Sequence, residues 1–234
     1  MKKSTHELKK QAAERAVELI ESGMVVGLGH GSTAILAVQR IAELLEEGKL
    51  SEVLGVPCSS QVEEAARNLR IPLTTLDEHP RIDLTIDGAD EINGNLDLIK
   101  GGGGALLREK IVAQASRREV IVADESKLSP ALGTQRALPV EAIPFGWQSQ
   151  ALYLESLGAT VIMRKNDNEE RFMTDQGNLI LDCSFGPITN PEILAEALNA
   201  RAGIVEHGLF LNLATDLIVA HTEEVCHRTR NKRC

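Results

Sequence analysis

Residues 82–124 read IDLTIDGADEINGNLDLIKGGGGALLREKIVAQASRREVIVAD. IDLTI at 82–86 is a short apolar run of the length of a buried strand, and DGADEINGN after it is turn chemistry throughout. Lys100 and four glycines then precede a helix of about Ala105 to Ser116, and EVIVAD at 119–124 is again strand-like. The same alternation extends toward the N-terminus. Ser4-x-x-Glu7 reads as a capping box, with Leu8, Ala12, Ala16, Leu19 and Ile20 at helical spacing and Ser22-Gly23 closing the helix. MVVGL at 24–28 is a strand, GHGS a turn, and Ala34 to Leu45 an amphipathic helix ending at Gly48. Val53–Val56 reads as a strand, Ser60-x-x-Glu63 caps a helix through Leu69, and IPLTTL at 71–76 is extended. Short apolar runs alternating with helices predict an α/β fold: a parallel sheet covered by helices on both faces.

From about 133 to 206 the texture changes. LPVEAIP, a helix around Gln148–Leu157, TVIMR and FMTDQGNLILDCS follow, the last reading as a hairpin that turns at Gln176-Gly177-Asn178. Thr189-Asn190-Pro191-Glu192 opens another helix, with Pro at its first position and Glu192 completing a box with Thr189. These elements predict a small α+β domain at 133–206, inserted into a large domain of 1–132 plus 207–234. LFLNLATDLIVA at 209–220 supplies a strand returning to the large sheet, and HRTRNKRC reads as a frayed basic tail.

The 234 residues carry 25 Lys and Arg against 34 Asp and Glu, a net charge of −9. That sign opposes binding along a polyanion, and six aromatics (Phe 4, Trp 1, Tyr 1) leave few platforms for stacked bases, so no nucleic-acid partner is expected. Hydrophobic content of 43% and charged content of 25% are those of an ordinary globular protein. Cys58, Cys183, Cys226 and Cys234 form no metal spacing, and reduced thiols in a cytoplasmic protein are expected. The lysines of the first residues lack a following apolar stretch, and no run is long enough to span a bilayer, so neither a leader nor a membrane partner is expected.

Polar, glycine-rich segments follow the predicted strands or open a helix: GHGSTA at 29–34, DGADE at 87–91, KGGGG at 100–104 and DESK at 124–127. In open parallel sheets ligands bind beyond the carboxyl ends of the strands, so these segments should converge. GHGSTA matches the dinucleotide fingerprint, but the next strand ends in VPCSS without an acid for a ribose. It reads instead as a site for one phosphate at a helix start, with Ser32 and Thr33 hydroxyls; the plainer reading is a tight turn capped by Ser32. KGGGG lacks the ending of a nucleotide P-loop, and ordering four glycines is costly, which points to backbone lying close to a ligand rather than to a loose loop. Asp87 and Asp90 bracket Gly88-Ala89, a spacing suited to holding sugar hydroxyls, a metal or protons, against the plainer reading of exposed acids in an Asx-turn. The metal option lacks nearby ligands. Glu109 is either part of a solvated run, Arg108-Glu109-Lys110, or on a narrow helix face with Ala105 and Ala113. Lys127 is a candidate cation for a developing oxyanion.

In this order, VGLGHGSTA, LTIDGADEIN, KGGGGALLREKI, ADESK, LPVEAIP, GNLILD and GLFLNLA resemble the type A ribose-5-phosphate isomerases, over residues 25 to 220. The resemblance implies an aldose–ketose isomerase of the non-oxidative pentose phosphate branch, working through a cis-enediolate without metal or organic cofactor. It also implies a Rossmann-like domain with a small ferredoxin-like one, assembled as a dimer or tetramer. By motif, Glu109 would be the general base, with Asp87 and Asp90 helping to open the ring and shuttle the hydroxyl proton. Lys100 and Lys127 would hold substrate and enediolate charge, while His30, Gly31, Ser32, Thr33, Gly88, Ala89, Gly101, Gly102 and Gly103 line the site. Such a base needs tuning, since a glutamate at about 4.3 is a poor base unless burial raises it. Two departures stand out: His30 where the family has Thr in GTGSTA, and VPCSSQ at 56–61 where it has a serine-rich run. A non-catalytic sugar-phosphate sensor and an amino-sugar-phosphate deaminase or CoA transferase of related fold are the competing readings. The first wants a DNA-binding segment, and the second lacks the motif words.

Overall fold

The computed structural model describes residues 3–230, divided into two compact units. The first takes in residues up to Ala89, Arg108–Lys127 and the segment from Asn212; the second comprises Asp90–Leu107 and Leu128–Leu211. The second unit therefore includes residues 90–107, 128–132 and 207–211, beyond the 133–206 expected from the sequence.

The first unit holds strands β1 (Val25–Leu28), β2 (Leu54–Pro57), β3 (Leu84–Asp87), β6 (Glu119–Asp124), β12 (Asp216–Ala220) and β13 (Val225–Thr229). They form one sheet in the order β13-β12-β6-β3-β1-β2, parallel except for the antiparallel edge strand β13. Every residue of β1, β3, β6 and β12 is buried, which is why β1 and the centres of β6 and β12 spell continuous apolar runs rather than alternation. Helix α1 (Thr5–Val17) packs on β6 and β12, α2 (Ala34–Glu46) on β3, and α3 (Ser60–Asn68) on β2. Ser4 caps α1 through the reciprocal box with Glu7, as its spelling predicts, but the helix ends at Val17 and single turns carry the chain past Leu19 and Ile20. Ser59, not Ser60, caps α3: its Oγ accepts the Val62 N–H at 3.1 Å.

The second unit has a four-stranded antiparallel sheet of β7 (Leu138–Ala142), β8 (Thr160–Met163), β9 (Leu179–Ser184) and β10 (Ile204–His207) in the order β10-β7-β9-β8. With α5 (Trp147–Ser156) and α6 (Pro191–Asn199) its chain order is β-α-β-β-α-β, the split βαβ of ferredoxin-like folds. Leu138, Val140, Leu154, Leu181 and Leu198 are among the residues of its core. The Gln176–Asn178 turn is present, with Gly177 at φ +74°, but Met173 makes only one bridge to Leu179, and the ladder partners of β9 are β7 and β8 on its two sides. Pro191 opens α6 as expected, while Asn190 occupies the cap without a side-chain bond to the helix, so the Thr189–Glu192 box does not form.

A second, three-stranded sheet joins β4 (Glu91–Ile92), β5 (Leu98–Ile99) and β11 (Leu209–Phe210) in this unit. DGADEINGN is thus not all turn, and LFLNLATDLIVA is split, its first part pairing here and only β12 returning to the parallel sheet. The expected basic tail is strand β13 as far as Thr229; residues 231–234 lie outside the described residues. Helix α4 (Leu106–Ala115) carries the chain from the second unit into the first at Leu107–Arg108. Among the described residues, no helix is long and apolar enough to cross a membrane.

Candidate active site

In the first unit the sheet order reverses at β1, which is flanked by β2 and β3, so the segments leaving β1 and β3 occupy the switch point where open α/β sheets bind ligands. Asp87 ends β3 and is buried, 1% exposed. Its Oδ1 accepts the His30 N–H at 3.0 Å and the Gly88 N–H at 2.7 Å, so GHGS and DGA are tied together as the sequence reading expects. The alternative of an exposed Asx-turn fails for this acid.

The turn into α2 is not capped by Ser32. Thr33 stands at the cap position without a side-chain bond, and Ser32 Oγ instead accepts from the Lys9 ammonium at 2.9 Å. An uncapped start of a 13-residue helix, two hydroxyls and a cation make a set of donors suited to a phosphate. Lys9 was missed by sequence reasoning. In HELKKQAAE it looks like any solvated helix lysine, and only the packing of α1 beside α2 brings it to Ser32. His30 Nδ1 lies 3.0 Å from Ser59 Oγ, the same oxygen that caps α3, so the imidazole is anchored by the VPCSSQ segment that also departs from the family spelling.

Glu109 sits in the first turn of α4, 4% exposed, and Lys110 is 6% exposed. The run Arg108-Glu109-Lys110 is therefore not a solvated face; Ala105 and Ala113 are buried with Glu109, as the narrow-face reading requires. Lys127 ends a 3-10 turn, Glu125–Lys127, directly after β6, and is half-buried.

The second unit contains the other predicted residues. Asp90 is half-buried, its N–H bound to Ile99 O at 2.9 Å and its Oδ2 accepting the Gly102 N–H at 2.7 Å. A Cβ on Gly102 would lie 2.7 Å from the Asp90 carboxylate, which explains glycine there: the backbone must come this close for the acid to be held. Lys100 is 2% exposed; its N–H binds Gly208 O at 2.9 Å, and its ammonium lies 5.5 Å from the Phe210 ring centroid. Gly102 and Gly103 are exposed, whereas Gly101 is buried. Two clefts of about 880 and 1030 Å³ lie elsewhere on the first unit, one bounded by Arg67, Arg70 and Thr74, the other by the end of α2; neither contains a predicted residue.

A sequence profile of ribose 5-phosphate isomerase A (phosphoriboisomerase A) matches residues 54–224. The ribose-5-phosphate isomerase A of Chloroflexus aurantiacus is 58% identical over 226 residues, covering 97% of this chain and 95% of that protein.

The chain belongs to the ribose 5-phosphate isomerase A family.

The family is one of aldose–ketose isomerases. Solved ribose 5-phosphate isomerases agree in fold. One, from Plasmodium falciparum, has a TM-score of 0.94 at 40% identity, covering 97% of this chain and 99% of that one. Another, a D-ribose-5-phosphate isomerase in complex with phospho-erythronic acid, has a TM-score of 0.95 at 37% identity, covering 97% of this chain and 100% of that one.

Proposed function

We propose that this isomerase interconverts D-ribose 5-phosphate and D-ribulose 5-phosphate through an enediolate, with Glu109 as the base. Glu109 takes the proton from C2 of the open-chain aldose, and the electron pair forms the C1=C2 bond as charge moves onto O1. The same proton carrier then protonates C1, while the C2 hydroxyl proton passes to O1 and leaves a ketone at C2. Asp87 and Asp90 hold sugar hydroxyls, assist ring opening and carry the hydroxyl proton. Lys100 and Lys127 balance the enediolate charge, the component of such reactions that preorganised charges lower most. Lys9, Ser32, Thr33 and the start of α2 take the phosphate, and His30, Gly31, Gly88, Ala89 and Gly101–Gly103 line the substrate. No metal or organic cofactor takes part in this reading.

The observation that carries it is the burial of Glu109 within an otherwise hydrophilic run, on the helix that opens directly after KGGGG. The reading extends to a homo-oligomer, dimer or tetramer, in the cytoplasm, which light scattering and cell fractionation check. The chemistry is tested by solvent deuterium incorporation at C1 of ribulose 5-phosphate with EDTA present. Incorporation by wild type and its near-abolition in Glu109→Gln, with substrate binding retained, is the expected result. Near-normal turnover in the variant removes Glu109 from the mechanism. A folded wild type that binds the sugar phosphate without turnover fits a sensor instead.

A further inference from the structure

Four consecutive glycines have no conformational preference of their own, so the orientation of their peptide planes has to be imposed from outside. Within the segment, the Gly104 N–H closes a turn on Gly101 O at 2.9 Å; in the second unit one side chain fixes the outward carbonyls of that turn. Arg164, directly after β8, is pinned through its backbone by Ile180 O at 2.8 Å and by the Phe172 N–H at 3.0 Å. Its guanidinium is held by Asp182, Nε to Oδ2 at 2.9 Å and Nη2 to Oδ1. The remaining arm, Nη1, donates to Gly101 O at 2.8 Å and to Gly102 O at 3.0 Å. Phe172 lies under the guanidinium, 5.8 Å from Cζ to ring centroid, and fills the place a Cβ on Gly104 would take, 2.4 Å away.

A trans peptide sends its N–H opposite to its C=O. With Gly101 O on Arg164, the N–H of that peptide, belonging to Gly102, reaches Asp90 Oδ2 at 2.7 Å. With Gly102 O also on Arg164, the next N–H, that of Gly103, points away from the guanidinium on an exposed residue. Positive charge on the carbonyl ends further polarises both amides toward a negative group on their far side. Arg suits this position because one planar fork spans a carboxylate and two carbonyls, which an ammonium cannot.

We infer that Arg164 is a positioning residue for the isomerase reaction. Oriented by Asp182, it sets the 101–103 peptides so that Gly102 fixes Asp90 and the Gly103 N–H meets the oxygen that becomes negative in the enediolate. The role rests on the isomerase reading above. Because that oxygen gains its charge only during the reaction, the main effect falls on kcat, with the displaced Asp90 adding only a small rise in KM.

The test compares wild type, Arg164→Ala, Arg164→Lys and Asp182→Asn for kcat and KM with ribose 5-phosphate, with thermal unfolding as a check on folding. Arg164→Ala is expected to lose about 10–100-fold in kcat with KM changed less than about threefold. Millimolar guanidinium should restore part of that loss, and methylammonium should not. Arg164→Lys should resemble Arg164→Ala, and Asp182→Asn should show a smaller loss of the same kind; these two carry the test where Arg164→Ala does not fold. Folded Arg164→Lys and Asp182→Asn with wild-type kcat overturn the inference, as does a rise in KM at unchanged kcat. Wild type without turnover overturns the isomerase reading itself, an outcome separate from a variant that matches an active wild type.

Discussion

Glu91→Gln removes one charge and exchanges one oxygen for an NH2, and the structure says what that costs. Glu91 is fully buried on β4. Its Oε2 accepts the N–H groups of Gly133 at 3.0 Å and Arg136 at 3.1 Å; Oε1 accepts those of Thr134 and Gln135, both at 3.1 Å. Each hydrogen bond to a charged group contributes about 1.5–3 kcal/mol. An amide keeps one acceptor for two of the four donors and turns its own N–H groups toward the other two, so the loss is about 3–6 kcal/mol. That approaches the whole stability of a typical domain, about 5–15 kcal/mol, so the turn at 133–136 should open locally before the unit unfolds. The assay is amide hydrogen exchange at residues 133–136, where protection should fall roughly 10²- to 10⁴-fold in Glu91→Gln. Glu91→Asp, which keeps the charge but falls one methylene short, should lose less. A folded Glu91→Gln protein whose 133–136 amides keep protection within about tenfold of wild type would refute the assignment of these bonds as the clamp on that turn.

Glu141 is buried on β7 with Oε1 accepting from Thr174 at 2.8 Å and Asn178 at 2.9 Å, and burial, aided by the charges of Glu206 and Asp175, holds its pKa above the ordinary 4.5 despite those donors. The folded state keeps this proton to higher pH than the unfolded state, so its contribution is full below 4.5 and is lost as pH rises through the folded pKa. Glu141→Gln should therefore gain Tm relative to wild type as pH rises above 4.5, and a pH-independent difference contradicts this. Cys183 is fully buried with its thiol pushed up to about 12 by burial and by Asp182, so native alkylation followed by peptide mapping should modify half-buried Cys226 and spare Cys183; comparable native labelling of both overturns the expectation. Lys9→Met should raise KM about tenfold with kcat nearly unchanged, because a phosphate contact serves ground and transition states alike; a loss confined to kcat places Lys9 elsewhere.

The sequence made the parallel sheet legible because strands buried on both faces carry continuous apolar stretches, such as Val25–Leu28 and the Val120–Ala123 centre of β6, and the helices between them carry a 3.6-residue period. It hid elements with no room for a period. Glu91–Ile92 and Leu98–Ile99 are two-residue strands inside a segment dominated by Asn and Gly, and β13 is an edge strand whose outer residues are polar and basic. Edge strand β13 is tied to the sheet partly by His227, whose Nε2 lies 2.8 Å from the buried Asp216. Lys9 and Arg164 carried no local signal, since a cation acquires its meaning only from the oxygen that tertiary structure places beside it.

The same limit applies inside the most informative word, DGADE, whose three acids look interchangeable as spelled. A carboxylate accepts about four hydrogen bonds, and what distinguishes the three is how many the backbone has already taken. Glu91 receives four N–H groups and has no capacity left for a substrate, so its place in the motif is to hold the 133–136 turn. Asp87 accepts the His30 and Gly88 N–H groups on Oδ1. Asp90 takes one N–H, from Gly102, on Oδ2. In each case a backbone donor fixes the direction of the acid, and for Asp90 that donor belongs to the glycine segment at 101–103. Substitution by amide therefore separates the roles: at Glu91 the damage appears in local protection, whereas at Asp90 it appears in turnover with the fold intact.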